Sequence, residues 1–380
     1  MGGRRILLYT HALAGGGAER VMALLASGLA RRGHSVLFVT DYGSPENEGF
    51  LDPAVRRFQL GRHHGRATLR LAALLRSEKP DVSVSALGSN NLKLAVASIL
   101  AGQSRRAIIA YHGFHVNEPR LLSQMSFWFA PLLTRVTGRT IAVSAALLAD
   151  MKERWHVSRS RTRYIQNPVA WRPPLSMPTA EGLRAREPLV LACGRLTADK
   201  NFIGLIRAFA MISRPDARLA ILGQGEERPA LEAEIARLGL TGRVDLPGYV
   251  QQPWDYYERA TCLASSSRTE SFGLTIVEAL AHGLPVVAAD CGGPREIINS
   301  PAIGWLAKVG DDAELAAGLD AALSNPGDPA PRIARANDFS MESGVSAYEA
   351  LIEELASERD AKRWFAPLRQ ARGARPASIH

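Results

Sequence analysis

TCLASSSRTESFGLTIVEALAHGLPVVAAD, residues 261–290, decides the fold. Its first six residues, TCLASS, read as a short, largely apolar strand. Residues 274–283 then place Leu274, Val277, Leu280 and Ala281 at helical spacing. PVVAAD closes the stretch as a second apolar strand. Strand, helix and strand in this order form a crossover unit, which joins parallel neighbours.

The same alternation runs outward in both directions. Before it stand PLVLACG, a helix over 201–213, RLAILG, a helix over 228–239 and RVDLPG; after it comes GWLAK. The first part of the chain repeats the pattern. RRILLYT reads as a strand, AERVMALLASGLARR as a helix closed by Gly33, and SVLFVT, DVSVSAL, AIIAYHG, TIAVS and TRYIQ as further strands. Near-continuous apolar strands between amphipathic helices predict parallel sheets covered on both faces. The pattern lapses only in WRPPLSMPTAEGLRARE, which carries three prolines and reads as a linker. The resulting division is a Rossmann-like domain over 1–170, a linker over 171–187, a second Rossmann-like domain over 188–355, and a C-terminal helix with a basic tail over 356–380. Doubly wound sheets bind ligands beyond the carboxyl ends of their strands, so two such sheets place the site in the cleft between them.

Composition agrees. The chain has 380 residues, of which 46% are hydrophobic and 22% charged, enough for two well-filled cores. Cys193, Cys262 and Cys291 lie in apolar surroundings, without metal-ligand spacing, which argues for free thiols in a reducing compartment. The opening MGGRRILLYTHALAGGG places two arginines before an apolar run, but that run is shorter than the ~7–15 residues of a signal sequence. No run approaches the ~20 apolar residues of a membrane span, so a cytoplasmic protein is expected. Charge is uneven. Residues 1–180 hold 24 Lys+Arg against 10 Asp+Glu, net +14, and residues 181–380 hold 22 against 27, net −5. A basic first half suggests an anionic partner, such as a phospholipid surface, a phosphorylated acceptor or a nucleic acid.

Three places carry candidate chemistry. Gly15, Gly16 and Gly17 lie between the first strand and the first helix, where backbone can approach a phosphate or sugar. The dinucleotide fingerprint GxGxxG is not met, because Arg20 stands at the third glycine position. Asp41, at the end of the second strand, reads as a loop-starting residue rather than a ribose-binding acid. Arg195 and Lys200, in GRLTADKN, follow the first strand of the second domain and suit a diphosphate. Glu270 and Glu278 flank seven residues, and Phe272, Gly273 and Leu274 open a helix whose N-terminus presents N–H groups to an anion. Glu278, about one turn into that helix, can accept hydrogen bonds from a ribose diol, while Glu270 lies before it.

This combination resembles retaining glycosyltransferase family 4, an α/β family of GT-B fold with two Rossmann-like doubly wound domains facing across a cleft. The matching segments are GGGAERV at 15–21, YHG at 111–113, QNPV at 166–169, GRLTADKN at 194–201, LGQG at 222–225 and ESFGLTIVEALAHGLPVVA at 270–288. The resemblance implies a transfer of a hexose-type sugar from a nucleotide diphosphate sugar, by family frequency a UDP-sugar, to a glycan or lipid-linked acceptor. It implies a role for each residue in turn. Glu278 would bind the donor ribose, and Arg195 and Lys200 would neutralise the diphosphate. Backbone at Phe272, Gly273 and Leu274 would hold phosphate and sugar hydroxyls. Glu270 would contact the hexose, Gly16 and Gly17 would pack near the phosphates from the opposite domain, and His112 would hydrogen-bond the sugar. Attack on the same face, with the leaving phosphate accepting the acceptor's proton, needs no protein nucleophile. There is no DxD sequence, and Asp311-Asp312 reads as a helix N-terminus, so neither metal nor cofactor is expected.

The alternative is a GT-B scaffold that binds nucleotide or nucleic acid without catalysis; the presence of Glu270, Glu278, Arg195 and Lys200 together argues against it, and no nucleic-acid partner is expected. Two further segments leave alternatives open. Residues 119–139 gather Phe127, Trp128 and Phe129 between Arg120, Arg135 and Arg139, which suits either a membrane interface or a buried helix. Residues 56–70 carry five arginines and two histidines, as a solvated loop or a site for an anionic acceptor.

Overall fold

The computed structural model describes residues 3–118 and 120–371. The first sheet contains β1 (Arg5–Thr10), β2 (Ser35–Thr40), β3 (Arg56–Gln59), β4 (Val82–Ala86), β5 (Ala107–Tyr111), β6 (Arg139–Ala142) and β7 (Thr162–Tyr164). The second contains β8 (Leu189–Cys193), β9 (Arg218–Leu222), β10 (Val244–Gly248), β11 (Cys262–Ser265), β12 (Val286–Ala289) and β13 (Gly304–Ala307). Their orders are β3-β2-β1-β4-β5-β6-β7 and β10-β9-β8-β11-β12-β13, and the strand pairings are parallel. Both are α/β doubly wound sheets, and order reverses between β1 and β4 and between β8 and β11. Each reversal opens a crevice at the carboxyl ends of the strands.

Burial explains why these segments pair. Every residue of β4, β5 and β6 is buried, as expected where helices cover both faces. Helix Gly17–Arg31 turns Met22, Ala26 and Leu29 toward Ile6 and Leu8, and the chain leaves it through Gly33 at φ 88°. The expected helices over 201–213, 228–239 and 274–283 are observed as Phe202–Met211, Arg228–Arg237 and Leu274–Ala281. Asp311 caps helix Asp312–Ser324, accepting a 2.9 Å hydrogen bond from the Glu314 N–H. One apolar cluster is continuous between the domains, joining Tyr111 and Phe127 to Leu263 and Ile276.

The C-terminal helix corrects the sequence-based division at 355. It runs from Met341 to Ala371 and crosses back onto the first domain. Val345, Tyr348, Leu351, Ile352 and Leu355 join the core formed by Ile6, Leu8 and Met22. The apolar spacing of this segment announces a helix but not which domain it covers. Burying each such side chain contributes about 1.5–3 kcal/mol. Arg4 pairs with Glu353 at 2.8 Å and His34 with Glu349 at 2.9 Å along its edge. At the crossing, Val169 bridges Ser340, and a Cβ on Gly344 would lie 2.6 Å from the Pro168 Cα, so only glycine fits. The basic tail expected after about 365 includes residues 372–380, which lie outside the described residues.

The two open segments of the first domain are neither a simple loop nor a wholly buried helix. Residues 120–139 include helices Leu121–Trp128 and Ala130–Val136 and the start of β6. Phe127 is buried, edge-on to Tyr111 at 4.9 Å, whereas Trp128 and Phe129 remain 52% and 46% exposed beside exposed Leu121 and Leu132. Arg139 leaves this surface altogether: it is buried in β6 and pairs with Glu354, at 2.6 Å, and Glu358. Residues 56–70 are not a loop, since β3 and the start of helix His64–Glu78 occupy most of them. Among the described residues, no helix is long and apolar enough to cross a membrane.

Candidate active site

The floor of the site is the carboxyl edge of the second sheet. After β8 the chain turns through Gly194, Arg195 and Leu196, and the loop Gly223–Gly225 lies directly on it. A Cβ at Gly223 would meet the Gly194 carbonyl at 1.8 Å, and one at Gly225 the Leu196 carbonyl at 2.2 Å. Glycine at both positions therefore allows the two backbones to touch. The turn delivers Lys200, whose Nζ donates to Glu270 Oε2 at 2.6 Å. Burial opposes the Lys200 charge, but neighbouring Glu270 outweighs it and holds the ammonium above its ordinary pKa. Glu270 is held in turn by a bridge to Gly292, which has φ 101°. The pair is about one-fifth exposed.

Helix Leu274–Ala281 starts at Gly273, whose φ of 111° an L side chain rarely adopts. Phe272 anchors this turn, edge-on to Phe339 at 5.7 Å. Ser271 donates to the His112 carbonyl at the end of β5, so the turn touches the first domain. One turn inside the helix, Glu278 is 1% exposed. Its Oε2 accepts from the Tyr257 hydroxyl at 2.8 Å.

The first domain closes over this floor. A Cβ at Gly15 would lie 3.4 Å from the Tyr249 ring, and one at Gly17 would lie 2.8 Å from Leu274 Cδ1. Gly17 thus meets the opposite domain at the helix start. Gly16 does not, because the space above it is taken by the carboxylate of Glu19. Glu19 is buried, 3.6 Å from His11, and burial raises its pKa. His112 follows β5, and neither of its ring nitrogens has a hydrogen-bond partner among the described residues. Burial lowers its pKa to about 4, so the ring is neutral at pH 7 and can donate from one nitrogen and accept at the other. Arg195 is exposed, within electrostatic reach of Glu19 and Glu118 across the cleft.

The structure therefore gathers Lys200, Glu270, Gly273, Leu274, Glu278 and Gly17 around one cleft, with His112 and Arg195 on its opposite lips. Five participants escaped the sequence reading. Tyr249, Tyr257 and Glu118 carry no motif, while Glu19 and Arg20 sit beside the glycine run and could have been weighed with it. Asp41 starts the loop after β2, as expected, but it is buried and paired there. Its Oδ2 accepts from Lys93 Nζ at 2.5 Å and its Oδ1 from the Tyr9 hydroxyl at 2.9 Å, all three buried at the mouth of the first sheet.

Comparison with known proteins places the chain among relatives. The model described as Glycosyltransferase Family 4 matches residues 15–170, and that described as Glycosyl transferases group 1 matches residues 177–339. An uncharacterized glycosyltransferase of Haemophilus influenzae is 24% identical over 320 residues, 82% of this chain and 88% of its own. The N-acetylgalactosamine-N,N'-diacetylbacillosaminyl-diphospho-undecaprenol 4-alpha-N-acetylgalactosaminyltransferase of Campylobacter jejuni is 28% identical over 179 residues, 47% of this chain and 48% of its own. Anabaena HepE in complex with UDP superposes with a TM-score of 0.74 at 22% identity, covering 92% of this chain and 100% of that one. Two matched halves, two facing Rossmann-like sheets and the glutamate pair in the cleft lead to one conclusion: the chain belongs to glycosyltransferase family 4 and is a glycosyltransferase of GT-B fold.

Proposed function

We propose that this enzyme moves a hexose from a UDP-sugar, with retention at the anomeric carbon, to a lipid-linked or glycan acceptor in polysaccharide or glycolipid assembly. The observation that carries the reading is the Lys200–Glu270 pair at 2.6 Å within electrostatic reach of Arg195, at the entrance to the helix that bears Glu278 and in the turn that hydrogen-bonds the His112 carbonyl through Ser271. Glu278 receives the ribose, and Lys200 and Arg195 receive the diphosphate, whose negative charge grows as the glycosidic bond breaks. Fixed cations and the N-terminus of helix Leu274–Ala281 stabilise that charge without reorganising. Glu270 holds Lys200 and meets the hexose; His112 hydrogen-bonds it from the other side. The UDP bound by the Anabaena neighbour and the diphospho-undecaprenol acceptor in the Campylobacter relative's name support the choice of donor and acceptor class.

With two cations at the diphosphate, turnover needs no metal. The test is release of UDP from a panel of UDP-hexoses, with lipid-diphosphate and glycan acceptors, with and without excess EDTA. Acceptor-dependent UDP release that persists in EDTA is expected. A complete loss restored by Mn²⁺ or Mg²⁺ would overturn the metal-free reading, and acceptor-independent binding alone would overturn catalysis.

The acceptor reading extends to a bilayer. Leu121, Trp128 and Leu132, on two consecutive helices, and Phe129 between them are exposed, in a half of the chain with net charge +14. Aromatic and aliphatic side chains beside basic ones suit an anionic membrane surface, where each cation contributes about 1 kcal/mol. Co-sedimentation with phosphatidylglycerol-containing liposomes should occur at low salt, weaken at high salt, and fall several-fold in Trp128→Ser/Phe129→Ser. Binding indifferent to lipid charge and to both substitutions would move the acceptor into solution.

A further inference from the structure

Arg20 stands on the first turn of helix Gly17–Arg31, in the first domain, yet its guanidinium reaches across the cleft to the second. It forms an ion pair with Glu278, lies within electrostatic reach of Tyr249, Tyr257 and Cys193, and rests over the Phe50 ring at 5.3 Å. Both side chains are largely hidden from solvent, at 15% and 1% exposure.

The oxygens of Glu278 are already divided. Oε2 accepts from the Tyr257 hydroxyl, and Oε1 faces Arg20. A ribose diol, with two O–H donors, needs the oxygen that Arg20 faces, which accepts no hydrogen bond among the described residues. With Glu278 almost wholly covered, no ribose reaches it while that guanidinium stays in place.

We propose that Arg20 is a latch displaced by the donor: in the free enzyme it occupies the ribose carboxylate from across the cleft, and donor binding expels it. The inference rests on Glu278 being the ribose ligand. It makes the first domain part of the energetics of donor recognition, because the same carboxylate holds either the other domain or the donor. The nucleotide therefore competes with an internal cation, and its apparent affinity falls by the fraction of molecules that are unlatched. If about one molecule in ten is unlatched, removing Arg20 tightens nucleotide binding about tenfold.

The experiment is calorimetric titration of UDP, GDP and ADP, which share ribose and diphosphate, into the full chain and into Arg20→Met, Arg20→Gln, Glu278→Gln and Arg20→Met/Glu278→Gln. Melting curves establish that each variant is folded, and the two Arg20 variants back one another. The expected result is tighter binding in both Arg20 variants, weaker binding in Glu278→Gln, and no further gain from Arg20→Met once Glu278 is changed. Small-angle scattering without nucleotide should show a larger radius of gyration for Arg20→Met than for the parent. If the Arg20 variants bind equally or more weakly while Glu278→Gln binds more weakly, the latch is wrong and the donor site stands. If Glu278→Gln binds as well as the parent, the donor-site reading fails and the latch falls with it.

Discussion

Lys200→Ala should lower turnover about 10²–10³-fold, the loss expected when one preorganised charge-stabilising contact of about 3–4 kcal/mol is removed. The effect should fall on kcat more than on KM, because negative charge on the diphosphate grows during bond breaking and the ammonium is worth most there. Lys200 also holds Glu270 in place, at 2.6 Å. Glu270→Ala should therefore lose much of the same rate, and the double variant should lose less than the product of the two. Lys200→Arg keeps the charge but not the geometry, and should recover only part. Steady-state kinetics on the folded variants check this. Near-parental kcat in Lys200→Ala would remove Lys200 from the reaction.

A second large effect is expected far from the chemistry. Asp41→Ala should destabilise the first domain by about 3–5 kcal/mol, because it strands the Lys93 ammonium in the interior. Lys93 and Asp41 are 4% and 3% exposed, and the Tyr9 hydroxyl shares the carboxylate. Burial and the adjacent Asp41 charge both push the Tyr9 pKa well up, so its hydroxyl stays a donor. Replacing both partners, as in Asp41→Leu/Lys93→Met, should recover most of the loss, since apolar residues of similar volume need no counter-charge. Urea unfolding followed by circular dichroism measures the shift. A double variant as unstable as Asp41→Ala would mean that the pair itself, rather than the orphaned charge, sets the cost.

How much was legible follows from the range of each interaction. The sheets were open to reading because burial on both faces writes itself locally, as in ILLY of β1 and IIAY of β5. Lys200, Glu270, Gly273 and Glu278 were open too, since backbone turns of fixed length carry them to one edge. Arg20 was not: its partner lies 258 residues away, and only the closing of two domains brings them together. Lys93 and Asp41 failed for a similar reason. Nothing in NNLKLAVA marks that lysine as interior, because a lysine on a helix is usually solvated. Residues 119–139 resisted either simple answer because consecutive aromatics on a short helix point in different directions, Phe127 inward and Trp128 outward.

The helix that returns to the first domain also bears on how the chain is made. Residues 5–164 supply every strand of the first sheet and leave the ribosome first, yet one face of its core waits for Val345–Leu355. At about 5–20 residues per second, the intervening ~180 residues take roughly ten to thirty-five seconds to synthesise. During that interval Ile6, Leu8 and Met22 lack their cover. The nascent first domain should therefore remain protease-sensitive and attractive to chaperones until the second domain has been built. It gains full protection only when the returning helix docks.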